Sequence, residues 1–373
     1  MKALRSVAAL AATYSWTISG GSAQEVARWE DFSICDGCQL RLAEVVRLGD
    51  AEGEGIIEGD FPQVVWSDFG YLVFRRGGSR VQLFSNDGRF VRSIGRSGEG
   101  PGEFSGTITG VQAIDGRILI SDGRKRAFIE FDERGGHMGS IDYGFRSGDF
   151  VSVGFDRVVM FSMDRSPDLV GYPLHLVDVS AMGTRTAPVH FGTENANAWS
   201  ARVPLAGFVI GSVIGGPTLW WGSGGSPAIQ QWSVDGEHLQ TIDGELPWFP
   251  KVTALIPNPS QPPPSTLKAI ATDPAARLWM LTHQADRGWR EVARQGAEGG
   301  ITESSYGEYY DSRLDVFDLG TRNHLGSYTW DPGSVMLIDN SKRADPRDWV
   351  RISTLEFNES MVPQVVVYRA LWN

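Results

Sequence analysis

Features that define several common protein classes are missing from this 373-residue chain. It contains only 2 Cys, too few for the disulfide framework of a small secreted domain. No apolar run approaches the roughly 20 residues that a membrane-spanning helix needs, and no stretch shows helical periodicity. Basic residues are outnumbered, with 34 Lys and Arg against 45 Asp and Glu, so the net charge of −11 argues against general nucleic-acid binding.

Motifs of several enzyme and ligand-binding classes are absent as well. The Gly-rich segment 95–104 lacks the Gly-Lys-Ser/Thr of a phosphate-binding loop. The order of residues in Gly222–Ser226 is not that of a serine-hydrolase nucleophile turn. The Asp-rich turns lack the spacing of a calcium loop, and Asp-Gly is in any case favourable turn chemistry. The sequence therefore predicts no cofactor and no metal.

What the chain does contain is a repeated unit rich in Gly turns and apolar strands. Each unit has a short apolar strand, a Gly or Asp turn, a second strand, a loop, and two further strands joined by an Asp-Gly-type turn. Five units begin near residues 64, 110, 151, 208 and 267. A repeat of roughly 40–50 residues with four strands is typical of β-propeller blades.

A sixth unit supplies only three strands, in the segments 334–338, 350–357 and 364–371. The unassigned apolar run Leu40–Leu48 could provide the missing fourth strand. Such a closure of the ring removes an open sheet edge. We therefore predict an all-β fold, a six-bladed β-propeller of four-stranded blades closed by an N-terminal strand.

The first 23 residues have the pattern of a secretory signal peptide. Lys2 and Arg5 precede the mostly apolar run Ser6–Ile18, and small residues then lead to a predicted cleavage site before Gln24. Removal of the two cations lowers the net charge from −11 to −13. The prediction is a secreted or periplasmic protein with a single propeller domain over residues 24–373 and no membrane span in the mature chain.

Cys35 and Cys38 form a C-x-x-C pair in which Gly37 permits a tight turn. An oxidising compartment favours a local structural disulfide; a redox or metal role and free thiols are the alternatives. Gln39 stands where a c-type haem site needs His, and one C-x-x-C supplies two zinc ligands instead of four. So small a loop is expected to stabilise the fold little.

The segment 95–104, GRSGEGPGEF, follows the strand pair 81–90, VQLFSNDGRF. This arrangement resembles the inter-blade loop of NHL-repeat propellers, and more closely that of secreted bacterial six-bladed β-propeller proteins. Ser85 and Asn86 depart slightly from the pattern. The resemblance covers about 35–143, and it implies architecture without implying a reaction.

Loop lengths indicate which end of the ring binds. Second-to-third-strand loops and inter-blade crossings share one end, and the long loops 163–173, 191–207, 243–266 and 283–312 all fall there. We call this end the long-loop face. His283 lies at the end of the second strand of blade 5, where a long loop begins. NHL-like lyases place His and Asp on the channel face, so the resemblance implies that His283 is the histidine to test; a solvated or satisfied histidine is the alternative. The long-loop face carries aromatic residues and arginines, which are the candidate binding residues. The alternative is that these aromatic residues pack the loops onto the ring and that the arginines are solvated. Candidate binding residues are Arg75, Arg96, Arg124, Trp199, Trp248, His283, Trp289 and Tyr309.

The predicted function is binding of a protein, peptide or glycan partner by a monomer, without nucleic acid. The alternatives are a lyase or hydrolase at the mouth of the central channel and a structural scaffold. An enzyme would need converging polar groups on the innermost strands. These strands are mostly apolar, as in Val111–Ile114 and Leu267–Ala271, which favours binding.

Overall fold

Antiparallel sheets form most of the regular structure, as the runs of Val, Ile, Phe and Trp between Gly and Asp turns predict. The predicted signal peptide at 1–23 and the candidate Trp199 lie outside the described residues. In the computed structural model, the described residues are 25–59, 61–145, 147–153, 156–162, 174–180, 189–191, 208–212, 218–250, 261–273, 275–295, 306–330, 336–338 and 350–372.

Three strands precede the first blade and are followed by blades in chain order. The N-terminal strands are β1 (Glu25–Arg28), β2 (Ser33–Ile34) and β3 (Leu40–Leu48), with 3-10 turns at Trp29–Asp31 and Gly53–Gly55. Blade 1 and the crossing after it comprise β4 (Pro62–Ser67), β5 (Gly70–Arg75), β6 (Val81–Phe84), β7 (Phe90–Ile94), β8 (Arg96–Ser97) and β9 (Glu103–Phe104). Blades 2 and 3 comprise β10 (Ile108–Ile114), β11 (Arg117–Asp122), β12 (Ala127–Asp132), β13 (His137–Asp142), β14 (Ser147–Ser152), β15 (Arg157–Ser162), β16 (Leu174–Asp178) and β17 (Val189–Phe191).

Blades 4 to 6 complete the ring, which confirms the predicted count of six. Blade 4 comprises β18 (Phe208–Ser212), β19 (Thr218–Ser223), β20 (Ile229–Ser233) and β21 (His238–Asp243). Blade 5 comprises β22 (Thr266–Thr272), β23 (Arg277–Ala285), helix α1 (Trp289–Gln295), helix α2 (Tyr306–Tyr309), β24 (Tyr310–Asp318) and β25 (Asn323–Trp330). Blade 6 comprises β26 (Leu337–Ile338), β27 (Arg351–Phe357) and β28 (Pro363–Trp372).

The fourth strand of blade 6 is β3, as predicted for ring closure. It pairs antiparallel with β28, from Leu48 opposite Val365 to Leu40 opposite Trp372. Leu48 is fully buried between blades 6 and 1, in one layer with Val365. The N-terminal strand therefore completes both a sheet and an inter-blade layer.

The core consists of six apolar layers, one between each pair of neighbouring blades. In the layer between blades 1 and 2, for example, Leu72 and Ile94 pack against Ile118. The first strands of blades 1 to 6 contact one another in succession around the central axis, and β27 of blade 6 contacts β4 of blade 1. Every blade thus buries both of its faces, which is why these strands have so few polar residues.

The N-terminal segment also reaches two further blades, which the sequence did not predict. β1 adds a parallel strand to β21, and β2 adds a parallel strand to β25. Between them Trp29 is buried, and its indole N–H donates to the carbonyl of Pro227 at 3.0 Å. Cys35 and Cys38 form a disulfide with a Cα–Cα distance of 5.6 Å, where the chain passes from blade 5 to blade 6.

The insertion in blade 5 differs from the structureless loop expected over 283–312. β23 continues to Ala285 and β24 begins at Tyr310, so His283 lies within a sheet instead of at a loop entrance. Trp289–Gln295 and Tyr306–Tyr309 are short helices. Segments of seven and four residues are too short to show a periodic pattern in the sequence.

Ring closure generates the first prediction. Replacing Leu48 by Ala leaves a cavity in a fully buried layer and should lower the free energy of unfolding by about 2–5 kcal/mol. Val45 lies on the same strand and is 37% exposed, so its replacement by Ala should cost less than about 1 kcal/mol. Urea denaturation of the mature chain measures both changes. Equal losses for the two variants would contradict the assignment of Leu48 to a closing layer.

Candidate functional site

Two short loops on the long-loop face lie on either side of Thr107 and Ile108, where the chain crosses from blade 1 to blade 2. The loop 76–80 of blade 1 is held to that segment by Gly77, whose N–H donates to the Ile108 carbonyl at 2.8 Å. The loop 123–126 of blade 2 is held from the other side, where the Gly123 N–H donates to Thr107 at 2.9 Å. The loops of blades 1 and 2 therefore form one continuous surface.

This surface is basic in a protein whose net charge is −11. Arg75, Arg76, Arg124 and Arg126 are exposed. In the part of the chain that the structure describes, the side chains of Arg124 and Arg126 make no hydrogen bond or ion pair. We call the following six residues the basic surface: Arg75, Arg76, Arg80, Arg124, Lys125 and Arg126.

A cleft of about 340 Å³ opens beside the loop of blade 1. Its walls include Arg75 and Arg80, the backbone of Gly77 and Gly106, and Pro62 at the start of β4. Arg80 forms an ion pair with Glu58 at 3.0 Å, and it also donates to the Ile56 carbonyl at 3.3 Å. The cleft is thus lined by two guanidinium groups, the carboxylate of Glu58 and the backbone of several glycines.

Arg96, another predicted binding residue, is occupied within the Gly-rich crossing. Its guanidinium lies 2.7 Å from the carboxylate of Glu103, which also accepts from the Gly100 N–H at 2.8 Å. The backbone N–H of Gly100 and then Arg96 lower the pKa of Glu103. A Cβ at Gly98 would lie 2.1 Å from that carboxylate, so only glycine fits there. The motif at 95–104 therefore builds the loop and does not form a phosphate site.

The predicted aromatic candidates mainly pack the insertion and crossing onto blade 5. Trp248 stacks under the Arg313 guanidinium, 4.0 Å from ring centroid to carbon, and against the ring of His324. Trp289 and Tyr309 are 6% and 9% exposed, so they offer little surface to a partner. These three residues therefore pack the loops onto the ring, which is the alternative that the sequence left open.

His283 is buried and hydrogen-bonded on both ring nitrogens. Its Nε2 lies 3.3 Å from the carbonyl oxygen of Met336, which can only accept, so Nε2 carries the proton. Nδ1 is then the acceptor for the hydroxyl of Tyr306 at 3.2 Å. Burial first, and the neighbouring Lys268 second, lower the pKa of His283 to about 3. This histidine is neutral, and it positions Tyr306.

Lys268, which sequence reasoning missed, lies close to this pair. It is on β22, the innermost strand of blade 5, near the end that meets the long-loop face. Its ammonium lies 5.5 Å from the centroid of the Tyr306 ring, and burial lowers its pKa to about 8. The signal in the sequence is one charged residue inside the apolar run Leu267–Ala271.

The mouth of the channel and the cleft adjoin each other. The ring of Phe61, from the crossing into blade 1, packs edge-on against Tyr306 with centroids 5.2 Å apart. The next residue, Pro62, lines the cleft. We call the group formed by Lys268, His283, Tyr306, Tyr310 and Phe61 the mouth cluster.

The described residues contain neither a metal-binding cluster nor a helix suited to cross a membrane. They contain no set of three or more His, Cys, Asp or Glu side chains arranged to hold a metal ion. No helix among them combines the length and the apolar character needed to cross a membrane.

The burial of His283 generates the second prediction. Its pKa is about 3 in the folded chain and near 6.5 when unfolded, so below pH 6.5 the unfolded state binds the extra proton. Stability should therefore fall as the pH drops from 6.5 towards 3, by up to about 1.4 kcal/mol per pH unit from this group. His283→Gln keeps an acceptor and a donor and should remove that part of the slope.

Chemical denaturation at several pH values measures this difference. His137 is exposed on the other end of the ring, and His137→Gln serves as the control that also loses one histidine. If both variants keep the wild-type dependence on pH, His283 does not titrate as its burial requires.

Comparison with known proteins identifies the architecture. A family model described as "6-bladed beta-propeller" matches residues 57–167. A DUF4221 family member from Bacteroides vulgatus has a TM-score of 0.58 at 9% identity, over 90% of this chain and 98% of that one. A protein from Bacteroides fragilis designated as exported has a TM-score of 0.55 at 10% identity, over 92% and 99%.

Weaker similarity extends to proteins with named activities. Virginiamycin B lyase from Staphylococcus aureus has a TM-score of 0.44 at 10% identity, over 89% of this chain and 99% of that one. Among curated proteins, no sequence matches this chain. At such identities the structural matches show the fold alone, and the more specific likeness to NHL repeats stays a prediction. The ring of six blades, the family model and the two Bacteroides structures together identify the protein as a six-bladed β-propeller.

Proposed function

We propose that the protein is an exported binding propeller that takes an anionic partner on the basic surface and the adjoining cleft. The observation that carries the proposal is the clustering of six cations on two neighbouring loops of a chain with a net charge of −11. Acidic residues outnumber basic ones in this chain, so a cluster of cations at one place is opposite in sign to the net charge. Such a patch attracts anions and steers them to one face.

The chemistry of the basic surface suits carboxylates. Five of its six cations are arginines, whose planar guanidinium groups can bind a carboxylate through two hydrogen bonds. Arg124 and Arg126 project from the loop of blade 2, and Arg75 and Arg80 line the cleft of blade 1. An acidic glycan or an acidic peptide would present carboxylates repeatedly along its length. Both belong to the predicted partner classes.

Export rests on the sequence and on one structural neighbour. The signal-peptide pattern over residues 1–23 directs the chain out of the cytoplasm. A protein of the same fold from Bacteroides fragilis is designated as exported. The location proposed is the periplasm or the cell exterior, where the partner would be a component of the envelope or the surroundings. The alternative of a lyase or hydrolase at the channel mouth stays a prediction.

The third prediction tests the basic surface. The double variant Arg124→Gln, Arg126→Asn should bind polygalacturonate or poly-L-glutamate about 5- to 30-fold more weakly than wild type. The estimate assumes about 0.5–1 kcal/mol for each of two exposed charge contacts. Wild-type binding should also weaken as salt rises from 50 to 500 mM, because screening shortens the range of exposed charges. Biolayer interferometry with immobilised polymer measures both effects.

The matched control is the double variant Arg89→Gln, Arg134→Gln. It removes the same charge from exposed positions in the third-to-fourth-strand turns of blades 1 and 2, at the other end of the ring. The control should bind like wild type, and neutral dextran should not bind any of the proteins. Absence of binding to both anionic polymers, or equal weakening in the two double variants, would sink the proposal. Whichever polymer binds more tightly indicates the partner class.

A further inference from the structure

Lys268 occupies an irregular position on the innermost strand of blade 5. Leu267 pairs with Thr282, but Ala269 pairs with Leu281, so the register shifts and leaves Lys268 between two paired residues. Extra residues of this kind bend a strand and re-aim a side chain, and they are common beside active sites. The side chain is mostly buried but is partly exposed to solvent at the channel mouth.

The surroundings of the amine are aromatic and uncharged. The ring of Tyr306 lies 5.5 Å from the ammonium, and it is 4.7 Å from the ring of Tyr310 and 5.2 Å from that of Phe61, centroid to centroid. His283 is neutral because its two nitrogens are divided between a donor and an acceptor role. Burial raises the pKa of both tyrosines, which keeps their hydroxyls protonated.

No described residue acts as a counter-ion for the ammonium. Within the ranges that the structure describes, Lys268 forms no hydrogen bond and no ion pair, and its one charge contact is with the ring of Tyr306 at 5.5 Å. That distance is near the outer limit of about 6 Å for a cation–π interaction. Burial therefore outweighs the ring contact, and the pKa of the amine falls to about 8.

We propose that Lys268 is a reactive amine that reversibly captures an aldehyde or ketone ligand at the channel mouth as an imine. The proposal goes beyond the anionic partner of the basic surface, because it assigns a covalent site on a different blade. A lysine amine in an apolar pocket is the group that proteins use to form Schiff bases. The tyrosines and Phe61 provide flat, apolar walls for the rest of the ligand.

The reaction balances without an oxidant or a metal. The neutral amine nitrogen adds to the carbonyl carbon and gives a carbinolamine. The carbon–oxygen bond then breaks, and the oxygen leaves as water with the two hydrogens that the amine nitrogen carried. A carbon–nitrogen double bond remains. Addition of water reverses the sequence and releases the ligand.

The chain has so few lysines that modification of Lys268 is easily distinguished from modification of the others. The sequence has five lysines, at positions 2, 125, 251, 268 and 342. Lys125 lies on the same face and is the comparison residue, because its ammonium donates to the carbonyls of Glu103 at 2.8 Å and Gly100 at 3.3 Å. At pH 7.5 an amine with a pKa of about 8 is neutral about a quarter of the time, against about 0.1% for an ordinary lysine.

The fourth prediction uses propionaldehyde, an uncharged probe on which the arginines of the basic surface have no electrostatic effect. The mature protein is incubated at pH 7.5 with propionaldehyde and sodium cyanoborohydride, which reduces any imine to a stable secondary amine. Peptide mass spectrometry then measures propylation at each lysine. We expect Lys268 to be modified at least tenfold faster than Lys125, with a rate that rises between pH 7 and 8.5 as the amine loses its proton.

The same reaction in 8 M urea is the first control, and there the preference for Lys268 should disappear. Lys268→Arg keeps the charge and removes the reactive amine, so it should leave only the slow background at the other lysines. Equal modification of Lys268 and Lys125 in the folded protein would overturn the proposal. So would a preference that persists in urea, since it would come from local sequence instead of the fold. Neither result bears on polymer binding by the basic surface.

Discussion

Closure of the ring by β3 is the constraint on which the rest of the structure depends. Each blade buries its two faces against its neighbours, so six blades need six apolar layers. The last layer, between blades 6 and 1, includes Leu48 and Val46 from the N-terminal strand. Without that strand blade 6 would have an open edge and an incomplete face. Closure thus pairs the N-terminal strand β3 with β28, more than 300 positions later in the chain.

The same constraint explains why the functional surfaces lie at one end. The faces of the blades are buried against one another. The turns at the end opposite the long-loop face are mostly too short to form a binding surface. The long-loop face is where additional chain is tolerated. There the short loops of blades 1 and 2 carry the basic surface, and the insertion of blade 5 brings Tyr306 over the channel mouth against Phe61. Phe61 and Pro62 connect these two regions.

The basic surface and the mouth cluster differ in how far their cationic side chains are exposed to water. Most arginines of the basic surface are exposed to water, and those of the blade 2 loop, Arg124 and Arg126, are available to an anion. Lys268 is mostly buried among aromatic rings beside a neutral histidine, and no described residue balances its charge. The pKa of its amine is accordingly lowered to about 8. One face of the ring therefore combines permanent cations with an amine whose charge changes near physiological pH.

The fold was predictable because its information is local: turns rich in Gly and Asp, and a period of roughly 40–50 residues, determine four-stranded blades and their number. The run Leu40–Leu48 even predicted the closing strand. Other features depend on contacts between distant segments. Trp289 and Tyr309 look like binding aromatics in sequence, yet they pack an insertion. The lowered pKa of Lys268 arises from burial at a place where Tyr306, 38 positions later in the chain, packs beside it. Sequence alone determined the architecture and which faces of the strands are buried, because both follow from local patterns. Only the tertiary structure decided which polar groups are buried, which are paired and which have no counter-ion among the described residues.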